Sequence, residues 1–128
     1  MEKREVRTDN APEPVGPYSQ AVISGNFVFC SGQIALDSQT GNLVDDNIEK
    51  ETTQVMENLK AVLESAGSSL EKVVKTTIFL TNMGDFARVN EIYGSYFGET
   101  PPARATIQAA RLPKGARVEI DCIALTNG

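Results

Sequence analysis

The chain has 128 residues, of which 41% are hydrophobic and 23% are charged, and its formal net charge is −5. This length suits one domain, so we expect a single domain over residues 1–128. The acidic balance argues against a nucleic-acid partner, because binding to phosphates needs clustered Lys and Arg. The sequence contains no histidine, and no set of Cys, Asp and Glu has the spacing of metal ligands, so we expect no metal site.

The N-terminal residues, MEKREVRTDN, contain no apolar run. We therefore expect neither a signal peptide nor a membrane segment, and a cytoplasmic location follows by default. Cys30 and Cys122 stand in apolar, strand-like contexts without a CxxC pair, which predicts buried reduced thiols. Neither has a histidine or an adjacent cation to activate it, so a nucleophilic role is disfavoured.

A short edge strand is predicted over residues 4–8, followed by an extended loop over residues 9–17. Three prolines, at positions 12, 14 and 17, stiffen this loop because each one fixes φ and biases the preceding residue to an extended shape. The loop delivers Tyr18 in a constrained position. The phenol of Tyr18 could point into a pocket, or its ring could simply pack beneath the loop.

A β-hairpin is predicted over residues 21–30, with Gly25-Asn26 supplying the positive φ angles of its turn. Ser31 and Gly32 follow the second strand. The glycine indicates either a bulge or a place where another group approaches the backbone closely. Ser31-Gly32 could offer a hydroxyl and backbone groups to a ligand, or could be a plain strand end.

Apolar residues recur at helical spacing over residues 48–66, which predicts the longest helix. Asp46 or Asn47 can cap its start, and Gly67 can close its end in the left-handed conformation. Residues 73–80 are rich in β-branched residues and predict a central strand covered on both faces. A second helix is predicted from Phe86, after a capping segment at residues 82–85, and is expected to stop at Gly98.

The last third, PPARATIQAARLPKGARVEI and the residues after it, predicts a strand, a turn at residues 112–115 and a strand over residues 117–126. We expect these two strands to form a hairpin. The whole pattern predicts an α+β domain in which two helices pack on one face of a mixed sheet.

Arg104 and Glu119 are unusual residues for strands that are half buried. Arg104 follows two prolines, so its guanidinium could be a pre-positioned fork for a carboxylate or phosphate, or part of a structural ion pair. Burial would raise the pKa of Glu119, which suits a proton shuttle. Glu119 could instead be an outward-facing residue that shares a face with Asp121.

A simple hairpin would place Arg104 and Glu119 out of register by on the order of 13 Å along the strands. The two side chains are therefore expected to meet only through a ligand or across a subunit boundary.

The sequence resembles the Rid family of reactive intermediate deaminases, also called the YjgF family, over essentially its whole length. The matching segments are GPYSQA, SGQ, VVKTTIFLTNMGDFARVNEIY and PPARATIQAARLPKGARVEI. In the family signature an arginine after a small residue is followed by a leucine-proline turn and then a Glu-Ile pair, as at Arg104, Leu112-Pro113 and Glu119-Ile120.

The resemblance implies a chorismate-mutase-like α+β fold that forms a homotrimer with ligand sites between subunits. It also implies hydrolysis of 2-imino acids and 2-aminoacrylate to 2-keto acids and ammonia without a cofactor, the activity of a 2-iminobutanoate/2-iminopropanoate deaminase. In family terms Arg104 would hold the substrate carboxylate and Glu119 would position water and transfer protons. The remaining positions that match the cleft are Tyr18, Ser31, Gly32, Asn90 and Thr106.

Thr106 departs from the many deaminases of the family that have cysteine at this position, which puts the substrate preference in question. One alternative is a trimeric sensor or chaperone-like protein that binds keto acids without turnover. RNA cleavage, attributed to some relatives, fits an acidic chain without histidine poorly.

Overall fold

The structure is a computed structural model that describes residues 2–126. Its single sheet has the strand order β1-β2-β3-β6-β4-β5, and all neighbouring pairs are antiparallel except β4 and β5, which are parallel. The sheet is therefore mixed, as the sequence predicted. Its strands are β1 (Lys3–Val6), β2 (Ala21–Ser24), β3 (Phe27–Gln33), β4 (Val73–Leu80), β5 (Ala103–Gln108) and β6 (Val118–Leu125).

Two helices, α1 (Ile48–Ser65) and α2 (Phe86–Gly94), cover one face of this sheet. The core lies between them and the inward-pointing residues of the central strands. Alternate residues of β6, such as Val118, Ile120 and Cys122, are buried there, while Glu119 and Asp121 on the other face are half buried. Two helices on one face of a mixed sheet confirm the predicted fold class.

Helix α1 begins and ends where the sequence predicted, within one residue. The side chain of Asn47 accepts a hydrogen bond from the backbone N–H of Lys50 at 2.8 Å and caps the first turn. Gly67 follows the helix with φ of 76°, the left-handed conformation that glycine adopts at low cost. Helix α2 ends at Gly94 and not at the expected Gly98. The Ser95 hydroxyl, which donates to the Ile92 carbonyl at 2.6 Å, occupies an acceptor of the last turn.

The hairpin expected from the last two strands is wrong. Strand β4 lies between β5 and β6 and pairs with both of them, so β5 forms one edge of the sheet. Strand β4 is thus a central strand, as predicted. Within this chain only its helix side is covered, because Phe79 and Thr77 on the other side are half buried.

The N-terminal hairpin of β2 and β3 is confirmed, with Gly25 at φ of 60° in its turn. Strand β3 runs on to Gln33 through a register shift after Cys30, which confirms a bulge at Ser31-Gly32. Cys30 and Cys122 lie opposite each other on β3 and β6, both buried and both free, as predicted.

In residues 2–126 no helix is long and apolar enough to cross a membrane. The cytoplasmic location stays a prediction. Over the same range no group of three or more Cys, Asp and Glu side chains is arranged to hold a metal ion.

Candidate active site

A cavity of about 400 Å³ opens beside the bulge of β3. Four of the sequence-predicted site residues line it together: Tyr18, Ser31, Gly32 and Glu119. The proline-rich loop supplies one wall through Pro12 and Val15. The chain therefore gathers residues from the loop, the bulge and β6 around one concave space, the usual form of a small-molecule site.

Glu119 lies directly against the backbone of Gly32. A Cβ atom added at position 32 would stand 2.2 Å from Glu119 Oε2 and 2.9 Å from its Cδ, so only glycine leaves room for this carboxylate. Both expectations for Gly32, a bulge and a close approach, hold. The bulge and the missing side chain seat the carboxylate at the wall of the cavity.

Burial, and after it the like charge of Asp121, raises the pKa of Glu119. The pKa of Asp121 is also raised, again chiefly by burial, although hydrogen bonds from Thr77 and the charge of Lys75 oppose the change. The expected upward shift at Glu119 is thus present. A carboxylate with a raised pKa is a stronger base than an ordinary one and accepts a proton more readily near neutral pH.

Tyr18 is half exposed at 50%, with its ring at the cavity and its hydroxyl accepting a weak hydrogen bond from the Val15 N–H at 3.4 Å. Ser31 uses its hydroxyl inside the protein, donating to the Ser19 carbonyl at 2.5 Å. This bond ties the bulge of β3 to the segment that carries Tyr18. Ser31 therefore contributes to the shape of the cavity.

Arg104 lies elsewhere, at a recess of about 320 Å³ that is also lined by Tyr93, Pro101 and Pro102. Its guanidinium carbon stands 5.1 Å from the ring centre of Tyr93 and 5.6 Å from that of Phe86. Both distances are within the range of a cation–π contact. No carboxylate of residues 2–126 forms an ion pair with Arg104.

Asn90 on α2 orients this guanidinium, because its Oδ1 accepts a hydrogen bond from Arg104 Nη1 at 2.7 Å. The hydroxyl of Tyr93 is itself held by Thr76 at 2.7 Å. Thr106 follows on the same side of β5, and among the described residues its buried hydroxyl has no hydrogen-bond partner. The guanidinium of Arg104 is thus held by two aromatic rings and one amide oxygen. Among the described residues, most of its N–H groups have no hydrogen-bond partner.

Arg104 and Glu119 lie on opposite faces of the sheet. In the register of β4, Arg104 is opposite Thr76 on the helix side, and Glu119 is opposite Phe79 on the open side. Since β4 separates them, the two residues are also about 10 Å apart across the strands and about 10 Å along them. The structure brings Arg104, Asn90 and Thr106 together at one place and Tyr18, Ser31, Gly32 and Glu119 together at another.

Two further buried polar groups were missed from the sequence. Glu51, fully buried on α1, accepts hydrogen bonds from the backbone N–H and the Nε of Arg117 at 2.7 and 2.8 Å. Its position three residues after Ile48 and four before Val55 puts it on the apolar face of the helix, which was an available signal. Gln20, buried beneath the proline-rich loop, carried no comparable signal.

Comparison with known proteins identifies relatives along almost the entire chain. Residues 8–126 match a family model described as Endoribonuclease L-PSP. A RutC family protein of Pyrococcus horikoshii is 52% identical over 122 residues, covering 95% of this chain and 97% of the relative. A mouse protein named 2-iminobutanoate/2-iminopropanoate deaminase is 46% identical over 123 residues, covering 96% of this chain and 91% of the relative.

Among solved structures, Escherichia coli TdcF with bound serine superposes with a TM-score of 0.92 at 38% sequence identity. The match covers 97% of this chain and 99% of the TdcF chain. The similarity thus includes both strands that carry the candidate site residues.

Proposed function

This chain belongs to the Rid family, whose members also bear the names YjgF, RutC and L-PSP, and on that basis we propose that it hydrolyses 2-imino acids. The products would be 2-keto acids and ammonia, and 2-aminoacrylate would react through the imine with which it equilibrates. The observation that carries the proposal is the pair of half-sites, a pre-oriented Arg104 and a cavity that holds Glu119 over Gly32. Arg104 provides a group that binds a carboxylate, and the cavity provides Glu119 as a base.

We propose further that the two halves meet between the subunits of a homotrimer. The open face of the sheet exposes several large apolar side chains, namely Phe27, Phe29, Ile107 and Leu125. An apolar face of this kind favours association with further copies of the chain. In a closed ring of three subunits every interface joins two different surfaces, so Arg104 of one subunit can face the Glu119 cavity of the next.

In the proposed reaction the guanidinium of Arg104 binds the substrate carboxylate through two N–H groups. This places the imine carbon at the cavity, where Glu119 accepts a proton from a water molecule as the water oxygen bonds to that carbon. Glu119 passes this proton to the nitrogen, which gives a carbinolamine with a hydroxyl and an amino group on the same carbon. Glu119 then accepts the hydroxyl proton and gives it to the amino group, so that the C–N bond breaks, ammonia leaves and the keto group forms. An imine carbon is already electrophilic, so orientation and one proton relay suffice.

A second candidate is binding of amino or keto acids without turnover. It is supported by TdcF, a relative of the same fold with serine bound, and by the readiness of Arg104 to hold any carboxylate. RNA cleavage, which the family description suggests, is disfavoured by the net charge of −5.

The test is a coupled assay in which a PLP-dependent dehydratase generates 2-aminoacrylate or 2-iminobutanoate and keto-acid release is followed. We expect acceleration over spontaneous hydrolysis, lost in Arg104→Ala and in Glu119→Gln. Full activity in either variant, or no acceleration by the native protein, contradicts the deaminase. If the native protein binds 2-oxobutanoate but accelerates nothing, the second candidate replaces it.

A further inference from the structure

Gln20 forms a buried hydrogen-bond network that takes no part in the proposed hydrolysis. Its Nε2 donates to the carbonyls of Thr8, Ala11 and Pro12 at 3.0, 3.3 and 2.9 Å. Its Oε1 accepts from the Thr8 N–H at 2.7 Å, and the residue is only 2% exposed. Three carbonyls on one side and an N–H on the other leave one possible orientation of the amide.

The same residue also connects to the bulge beneath Glu119. The backbone carbonyl of Gln20 accepts a hydrogen bond from the Ser31 N–H at 3.0 Å, next to Gly32. Gln20 therefore joins the start of the proline-rich loop to the strand on which the carboxylate rests. Ala11, only 3% exposed, packs into the core at the loop end of this network.

The proline-rich loop, which Gln20 holds through its first residues, also forms one wall of the Glu119 cavity. Pro12 and Val15 line it, with Ile34 and Leu36 also at the cavity surface. Val15 is 70% exposed, so its side chain is accessible to a molecule bound in the cavity. An apolar wall in this place suits the hydrocarbon side chain of a substrate whose carboxylate and imine are held by other residues.

We propose that Gln20 is a positioning residue that holds this wall, and that Pro12 and Val15 contact the side chain of the substrate. The wall then selects 2-imino acids whose apolar side chain is longer than a methyl group. This inference rests on the proposed imine hydrolysis, since it assigns the substrate class of that same site.

The test compares two substrates, 2-iminopropanoate and 2-imino-4-methylpentanoate, in the native protein and in Gln20→Met. Met has a similar length but cannot hold the loop carbonyls. We expect kcat/KM for the branched substrate to fall about tenfold more than for the methyl substrate, mainly through KM. Equal losses for both substrates, or no loss, overturn the proposal. If Gln20→Met does not fold, Gln20→Asn takes its place under the same criteria.

Val15→Ala tests the wall without touching the network. Because Val15 is exposed, the variant should melt like the native protein and still lose about threefold in the same substrate ratio. Val74→Ala is the matched control, an exposed valine on β4 that does not line the cavity, and should leave the ratio unchanged. An unchanged ratio in Val15→Ala overturns the contact assigned to the wall.

Binding of the stable 2-keto acids separates this inference from the proposed function. Isothermal titration with pyruvate and 4-methyl-2-oxopentanoate should show the same loss of preference in Gln20→Met and Val15→Ala. If the native protein hydrolyses no imine but this loss of preference is seen, the proposed function is wrong and the role assigned to the wall is supported. If the native protein hydrolyses imines and the preference is unchanged in the variants, the role assigned to the wall is wrong and the proposed function is supported.

Discussion

Arg104 and Glu119 face away from each other across one sheet, with β4 between their strands. No rotamer change brings them together within one chain, because a sheet layer lies between the guanidinium and the carboxylate. The proposed reaction therefore uses Arg104 of one copy of the chain and Glu119 of another.

Gly32→Ala should nearly abolish imine hydrolysis. The added methyl group would overlap Glu119 Oε2, and the carboxylate must move by an ångström or more to relieve the contact. A displacement of that size typically lowers the rate by about 100-fold. Steady-state kinetics measure the effect, with melting temperature and solution mass as controls. A rate close to that of the native protein would show that the carboxylate does not need this seat.

Arg104→Lys should raise KM by about tenfold or more with a smaller effect on kcat. A lysine keeps the charge but loses the planar fork that binds a carboxylate with two N–H groups and rests on aromatic rings. The matched control is Arg88→Lys on the same helix as Asn90, where the arginine is paired with Asp85. We expect native kinetics there. An unchanged KM in Arg104→Lys would remove the fork from substrate binding.

The acidic limb of the pH profile of kcat/KM should report Glu119. Its pKa is raised by burial and by the charge of Asp121, so activity should fall at a higher pH than for an ordinary glutamate. Asp121→Asn removes the like charge and should move this limb to lower pH. A limb that stays in place in Asp121→Asn would contradict the assignment of the limb to Glu119.

Glu119→Gln should stabilise the protein at neutral pH while it removes the activity. A carboxyl group whose pKa is raised on folding binds its proton more tightly in the folded state. Folding is then favoured when pH is low, and that stabilisation is lost as pH rises through the raised pKa. Glutamine does not titrate, so the variant does not lose this stability as the pH rises. Thermal melting across pH should show a higher Tm for the variant at neutral pH and convergence of the two proteins in acid.

The helices and most strands could be predicted because their periodicity is local. The pairing of β5 with β4 could not be predicted, because strands that follow each other in sequence need not be neighbours in a sheet. Arg104 and Glu119 lie on separate faces because they pair with β4 at Thr76 and Phe79, three residues apart, and successive side chains alternate between faces. The sequence marked both residues as exceptional for strands, but their separation depends on pairing between distant segments. The roles of the site residues stay predictions.

The buried pair of Glu51 and Arg117 shows a second limit. Glu51 lies among the apolar residues of α1, yet the group that satisfies it is 66 positions away. Glu51→Ala should destabilise the protein by about 2 kcal/mol, because it leaves the Nε and the backbone N–H of Arg117 without the carboxylate that accepts from them. Lys50→Ala, which breaks an exposed pair with Asp46, is the control and should cost no more than about 0.5 kcal/mol. Urea denaturation at one protein concentration measures both, and equal effects would contradict a structural role for the buried pair.

A mixture of two inactive variants tests the shared site most directly. Arg104→Ala subunits keep Glu119, and Glu119→Gln subunits keep Arg104, so a complete site forms only where the two kinds adjoin in the right order. In equal amounts, random assembly makes about three quarters of the trimers mixed, each with one intact site of three, and restores about a quarter of the native activity. We expect that recovery after the two variants are refolded together, while each variant refolded alone stays inactive. No recovery from verified mixed trimers would contradict a site built from Arg104 and Glu119 of neighbouring subunits.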